Sequence, residues 1–554
     1  MFRSAFIWAV LMAAGGALPG AASGTFGRVV AIGGAAADLA LDEPRGYLYI
    51  ANFTANRIEL MSLSNNTIQT SINVPSQPSS LALSPDGRFL LVAHYGNFAA
   101  PASPANALTV IELTTNARQT YVLGNPPLGV AFGLDGRALV VTSQEFMLFD
   151  PVLGTTQVLD TVSGLTAKTL PSTPAGPAFP PNIVSASIGV SGDGMVMFGL
   201  TDKFMFRYDV RGPQLEVISY TSTPAQGPRV VSVNQDGTYF TSGWTLNDRR
   251  GNLVSEFLNP TGVLNVGSHL IDSSRGLIYA QVPDSTAGTN PAPVLMVADA
   301  DNIRVRERLA LPENLAGKSV LSSDSNTMYS ISDSGVLVLP LGSLNRTPRI
   351  AVSQEDVLFR GNFCDRRVAS QQIVITDPGG GRTPFALSTT TNGITISPSV
   401  GTTPATVKIS VDPNVFQNQK GTVSASINIS SGTAVNLPPA VRVLVNLKEP
   451  DQRGTIANVP GKLVDILADP VRDRFYVLRQ DANEVQVYDG SNTALIATLR
   501  TTNVPTQMAI TFDQRYLLVG SNNSQVIPVF DLETLQSLPP IIMPGGHYPH
   551  SIAA

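Results

Sequence analysis

The chain has 554 residues, with 47 glycines, 41 prolines and a net charge of −5. Charged side chains make up 14% of it, against roughly 25% in an average soluble protein. A balance so near neutral, with no Lys/Arg cluster, argues against nucleic acid as a partner, and the single cysteine, Cys364, excludes a disulfide framework, a cysteine-based zinc site and a lipid-anchored N-terminus.

Residues 1–23 read as a secretory signal. Arg3 supplies the positive charge, Ala5 to Leu18 the apolar stretch, and Ala21-Ala22-Ser23 the small residues at which cleavage is expected. Gly15, Gly16, Pro19 and Gly20 interrupt the stretch, which falls short of the ~20 apolar residues of a membrane span. The expectation is export to the periplasm, cell surface or exterior, with no membrane span once the signal is removed.

From residue 24 to 346 a unit recurs at roughly 45-residue spacing, a period that with strands and turns alone marks a β-propeller. Its clearest copies are Leu39-Ala40-Leu41…Arg45-Gly46-Tyr47-Leu48-Tyr49-Ile50 and Leu81-Ala82-Leu83…Asp86-Gly87-Arg88-Phe89-Leu90. In the first copy, strand a is about Asp38 to Leu41, b is Leu48 to Asn52, c is Arg57 to Leu63 and d is Thr67 to Val74. Asp-Gly between a and b suits a tight hairpin, because glycine accepts positive φ without a Cβ clash. Seven a-strands can be placed, near 38, 80, 129, 187, 230, 269 and 319. The fifth unit is the weakest, with c and d expected near Leu253 to Phe257 and Val263 to Val266. The seventh lacks a d-strand, and Gly27 to Gly33, which resembles one, is expected to supply it and close the ring, removing an exposed edge.

Residues 347–448 show short alternating strands with frequent turns, the profile of a small β-sandwich. Asp377-Pro378-Gly379-Gly380-Gly381 looks like a phosphate loop, but no Lys-Ser/Thr follows and no helix begins there, so a hairpin loop is expected. In 449–554 the unit returns for two copies and the start of a third. The predicted architecture is therefore all-β: a seven-bladed β-propeller closed by its N-terminal strand, a small β-sandwich, then the first blades of a second, truncated propeller.

Tyr49-Ile50-Ala51-Asn52…Asn56-Arg57-Ile58 and Leu81 to Leu90 resemble the YVTN-type propeller repeats of bacterial and archaeal exported and surface-layer proteins. Residues 349–446 resemble the BACON or immunoglobulin-like modules often joined to them. The resemblance implies the fold and an exported, repeat-built surface protein. It brings no catalytic residues, although lactonase-like and quinoprotein propellers carry similar repeats.

The long insertions, Gly96 to Asn106, Trp244 to Asn252, Gln281 to Pro293 and Ser163 to Pro181, are expected on one face, around the channel mouth, where loops on a rigid scaffold commonly bind. The candidate contacts there are His94, Tyr95, Asn97, Trp244, Asn247, Asp248 and Arg249. For His94, at a position held by Asn52 in the first unit, a structural hydrogen-bonding role is the alternative. For Trp244 the alternative is a cover over the weak fifth unit. Of four histidines, His547-x-x-His550 has metal-like spacing but reads as the start of an ordinary strand. No catalytic set and no cofactor is indicated. The leading functional reading is a secreted or surface binding protein, non-catalytic, taking an envelope protein or glycan. A lactonase-like or hydrolytic enzyme and an architectural envelope spacer are the rivals.

Overall fold

The strands begin and end where the turn chemistry tells them to. Ser84 donates its hydroxyl to Asp86 (2.6 Å) and accepts the N–H of Phe89 (2.9 Å), while Asp86 also accepts the N–H of Arg88 (3.0 Å). Gly87 takes φ +68° between them. Ser191 with Asp193 and Thr511 with Asp513 repeat the arrangement. The hydroxyl bond to each aspartate holds its carboxyl below the usual range. Each a–b turn thus satisfies its own polar groups and reverses the chain.

The computed structural model describes residues 24–94, 106–169, 182–220, 230–257, 267–282, 293–362, 367–419, 421–448 and 457–554. Four-stranded antiparallel sheets resembling propeller blades dominate them. Seven lie between residues 28 and 339; six are laid down in the order a-b-c-d, and the seventh takes its d-strand from residues 28–31. Their a-strands are Ala36–Asp42, Pro78–Leu83, Pro127–Phe132, Ala186–Val190, Val231–Val233, Ser268–Asp272 and Leu315–Leu321. Each a-strand packs against the next, and the seventh packs against the first, so these strands form the inner wall. A separate apolar cluster fills each gap. Ala40, Ile58, Leu81, Leu90 and Ile111 lie between sheets one and two. Leu39, Leu48 and Ile50 meet Val30, Ile331 and Val336 between sheets one and seven. The fourth strand of sheet seven is Arg28–Ala31, antiparallel to Gly335–Leu339, with Arg28 opposite Val338 and Ala31 opposite Gly335.

The fifth sheet differs from the sequence expectation. Its c-strand is Thr245–Asp248 and its d-strand Leu253–Glu256; residues 263–266, expected as d, lie outside the described residues. The c-strand escaped notice because it lacks apolar alternation: Leu246 is buried beside Asn247, whose amide donates to Thr245 Oγ1 (2.8 Å). Trp244 therefore belongs to the b–c turn, and Asp248 to Asn252 form the c–d turn at the other end of the sheet.

Residues 351–448 form two sheets packed face to face. One runs in the order Ala351–Val352, Ala369–Thr376, Ala405–Val411, Ile394–Ser397. The other begins with Asp356–Asn362 parallel to Val441–Lys448. Ile373, Ile375, Val407 and Ile409 meet Val357, Phe359, Ile427 and Val443 in a common core. Asp377 fills its glycine loop with its own carboxylate, accepting the N–H groups of Arg349 (3.1 Å) and Gly379 (2.7 Å) and the Thr383 hydroxyl (2.6 Å). An anion already stands where a phosphate would have to sit.

Two further four-stranded sheets follow, with a-strands Leu463–Asp469 and Pro505–Ile510. The last strand, Ser537–Ile542, carries Pro539 and Pro540 on its edge, which blocks further pairing. Both C-terminal parts dock on the rim of the first seven sheets. Ala310 donates to the Val435 carbonyl (2.8 Å) and Leu437 to that of Arg308 (2.8 Å), extending the outer strand of sheet six. Gln525 exchanges bonds with Leu253 at the edge of sheet five, its N–H to the Leu253 carbonyl (3.0 Å) and its Oε1 from the Leu253 N–H (2.9 Å).

Candidate binding face and channel mouth

Strand order sorts the connections onto two ends. The a–b turns are short in all seven sheets and the c–d turns in the six that have one, as in Asp42 to Tyr47 and Ser62 to Thr67. The long connections run from His94 to Ala107 and Gln281 to Val294, both b–c, and from Thr161 to Ala186, Tyr220 to Val231 and Glu256 to Ser268, all d–a. They share one end. Residues 95–105, 170–181, 221–229, 258–266 and 283–292 of these connections lie outside the described residues. A helix, Val162–Thr169, opens the third connection and buries Val162 and Leu165 between sheets three and four.

The b-strands end on a polar residue at this side: Asn52, His94, Thr142, Thr201, Ser242, Gln281 and Ser332. All are buried, and several of them satisfy the adjoining backbone. Thr142 accepts the N–H of Glu145 (2.9 Å), Thr201 that of Phe204 (2.9 Å), and Gln281 Oε1 that of Leu315 (2.5 Å). His94 is one of this set, 2% exposed, with Nε2 bonded to Thr109 Oγ1 (2.8 Å). Its Nδ1 is buried without a hydrogen bond of normal geometry. Burial pushes its pKa down to about 4, so the ring is neutral at pH 7.

The other expected contacts separate. Tyr95 and Asn97 lie outside the described residues. Trp244 is 5% exposed and packs with Leu246, Phe257, Val282 and Val526, so it covers the fifth sheet and offers no exposed ring to a ligand. Asn247 is buried. Asp248 caps its own turn through the N–H groups of Arg250 (2.8 Å) and Asn252 (2.9 Å). Arg249 pairs with Asp209 of sheet four (2.6 Å), which Arg207 also faces. Asp248 and Arg249 stand at the short-turn end, opposite the long connections. The expected cluster is thus not assembled, because the shifted fifth sheet divides it between two ends.

A belt of bonds crosses the inner wall from sheet to sheet. Asp38 Oδ2 accepts the Ser80 hydroxyl (2.8 Å) and the Leu81 N–H (2.8 Å); Ser80 accepts the N–H of Val130 (3.3 Å). Ser232 bonds His269 Nδ1 (3.0 Å) and donates to its carbonyl (2.8 Å), and Ser268 bonds Ser319 (2.7 Å). Lys318 Nζ meets Asp38 Oδ1 at 3.0 Å, linking sheet seven to sheet one. His269 is fully buried, and desolvation pushes it down to about 4. Among the described residues no group of three His, Cys, Asp or Glu side chains is placed to hold a metal ion. His547 and His550 turn to separate partners, the Gly545 carbonyl and Asn522.

No family model matches the chain. A 106-residue stretch is 30% identical to Antigen Lp49 of Leptospira interrogans, spanning 17% of this chain and 22% of that protein's length. Among solved structures, the β-propeller domain of Cps50 (Swd1) from Myceliophteria thermophila aligns with 57% of this chain and 99% of its own, at 12% identity and a TM-score of 0.40. No helix among the described residues is long and apolar enough to cross a membrane.

Sequence reasoning missed Asp38, Ser80 and Lys318. Asp38 had a signal: Asp38 and Asp465 precede matching apolar runs, and both accept an N–H from the next inner strand. Lys318 had none, because its placement comes from a backbone irregularity.

Proposed function

We propose that this chain is an exported, non-catalytic binding scaffold. Its first seven sheets act as a closed seven-bladed propeller sealed by the N-terminal strand. The immunoglobulin-like sandwich and the partial second propeller are further modules braced against its rim. One observation carries the reading: every long connection of the seven sheets emerges at the end where the b-strands finish, while the opposite end keeps short, self-satisfied turns. A rigid wall with loop growth on one face is how folds of this class present a ligand site. The inner wall supports binding over hydrolysis, since its hydroxyls and its Asp38–Lys318 pair are engaged in holding sheet to sheet. An envelope protein or a glycan is the partner class, and the match to a Leptospira antigen is in keeping with it.

The test is a binding screen of the purified chain against glycan arrays and envelope protein fractions. It is repeated on chains in which 95–105, 170–181, 221–229, 258–266 and 283–292 are each replaced by a short Gly/Ser linker. The reading expects a ligand whose binding falls with one or more replacements while the melting temperature holds. Binding that survives all five replacements removes this face as the site.

A further inference from the structure

The inner strand of sheet seven leaves its register further than any of the other six. In the first three inner strands the irregularity spans one position, at Ala36/Asp38, Pro78/Ser80 and Pro127/Gly129. In Leu315–Leu321 the pairing jumps from Leu315, opposite Ser332, to Ser319, opposite Ser330. Ala316, Gly317 and Lys318 thus stand against the single residue Ile331. A Cβ at 317 would press on the Ile331 side chain, so glycine lets the excursion lie close. Bulges of this kind re-aim a side chain. This one sends Lys318 across the seam to Asp38, at the end of the inner strand where the d–a connections arrive.

The carboxylate of that pair is fully used and the ammonium is not. Besides Lys318, Asp38 accepts the N–H groups of Leu39 (2.7 Å) and Leu81 (2.8 Å) and the Ser80 hydroxyl (2.8 Å). Lys318 has three donors, and Asp38 is its one ion-pair partner among the described residues; its side chain is 36% exposed. The other charged residues of the inner strands, Asp42 and Asp272, sit at the short-turn end and are paired with Arg45 and Arg275. Near the mouth, Glu313 is held by the Ser334 hydroxyl (2.8 Å) and Asp333 by Asn314 (3.2 Å).

We infer that Lys318 is an anion-recognition point at the channel mouth, taking a carboxylate of the bound ligand, either an acidic side chain or a sugar acid. The inference rests on the binding reading above and deepens it. The bulge holds the ammonium beside the mouth, and Asp38 orients it while leaving donors toward the channel. A hydrogen bond to a charged group contributes enough to set an affinity difference of about tenfold or more.

Tetraglutamate and galacturonate, titrated calorimetrically into the full chain at low salt, are the probes. At least one binds the wild type. Lys318→Gln weakens it about tenfold or more, Lys318→Arg retains it, and Asp38→Asn, which keeps the ammonium charged, retains or tightens it. A seam-only role for Lys318 would instead leave probe binding unchanged in Lys318→Gln. That result, or no binding of either probe to the wild type, overturns the inference. Tetraglutamate alone points to a protein partner and galacturonate alone to a glycan. The two readings fail separately: a screened ligand lost on loop replacement but kept by Lys318→Gln leaves the face and removes Lys318. A ligand lost by Lys318→Gln but kept through all five replacements does the reverse.

Discussion

Asp38 and Leu81 are tied by a side-chain-to-backbone bond of 2.8 Å that joins the inner strands of neighbouring sheets. Asp465 and Met508 repeat it at 2.7 Å in the C-terminal sheets, and Gln507 does so for Ile552 at 3.1 Å. A bulge one position earlier, at Ala36/Asp38, Leu463/Asp465 and Pro505/Gln507, turns each acceptor toward the next strand. The clasp therefore belongs to the repeat itself. Replacing Asp38 by alanine leaves the buried Leu81 N–H without its acceptor, and the expected loss is about 1–3 kcal/mol. Urea unfolding checks it. Asp38→Asn keeps an acceptor oxygen and should lose less; equal losses would show that charge, not the bond, matters.

A second tie accounts for part of the turn pattern. Asp42, Arg45 and Tyr49 recur as Asp272, Arg275, Tyr279 and as Asp469, Arg472, Tyr476. Each arginine pairs with its aspartate and reaches a turn carbonyl in the next sheet, Gly87, Ser325 or Gln514. Tyr49 and Tyr476 donate to Asp42 (3.3 Å) and Asp469 (3.0 Å). Burial first, then the aspartate charge, pushes both phenols up to about 12. An unfolded tyrosine ionises near 10, so these bonds stabilise the fold below pH 10, and their contribution is lost as pH rises from there toward 12. Phenolate absorbance should show a late-titrating fraction that shrinks in Tyr49→Phe and again in Tyr49→Phe/Tyr476→Phe.

The two buried histidines make the acid limb specific. Burial holds both His94 and His269 at about 4, against about 6.5 unfolded. Between these values the unfolded chain binds more protons, so stability falls as pH drops from 6.5 toward 4 and loses nothing more to these groups below 4. The slope reaches at most about 1.4 kcal/mol per pH unit for each histidine. His94→Asn, the residue sheet one has at that position, and His269→Gln should each flatten the fall in the urea midpoint between pH 6.5 and 4.5. An unchanged slope in the double variant would assign the limb to carboxylates.

These ties also show what a sequence reading can and cannot reach. Asp86, Asp193 and Asp236 announce their turns through a neighbouring glycine, and the paired apolar runs announce strands, so the blade-like sheets were legible from local pattern. The fifth sheet was not, because its c-strand is held by the Asn247 amide and by tertiary cover from Trp244 in place of its own alternation. The candidate site suffered most. Residues adjacent in sequence, Trp244 and Asp248, fall at opposite ends of one short strand, and Lys318 reaches the mouth through a bulge that no residue pattern encodes.

The rim contact between the C-terminal sheets and sheet five offers the sharpest optical test. Of the two tryptophans, Trp8 lies outside the described residues, so in a chain begun at residue 24 Trp244 alone reports on the fold. It is buried with Val526, which comes from the C-terminal sheets, and Gln525 beside it completes the edge of sheet five at Leu253. Asn503 adds to the contact by donating to the Glu256 carbonyl (2.8 Å), and Arg500 extends it to sheet six through Asp299 (2.7 Å) and Asp301 (2.6 Å). Sheet five has short strands and little apolar alternation of its own, so this cover should carry much of its local stability. Val526→Asp places a charge against the indole and should shift its emission to the red while sheets one to three keep their hydrogen-exchange protection. Gln525→Ala should raise exchange at Leu253 with a smaller optical change. Unaltered emission in Val526→Asp would mean that the C-terminal sheets do not sit on this rim in solution.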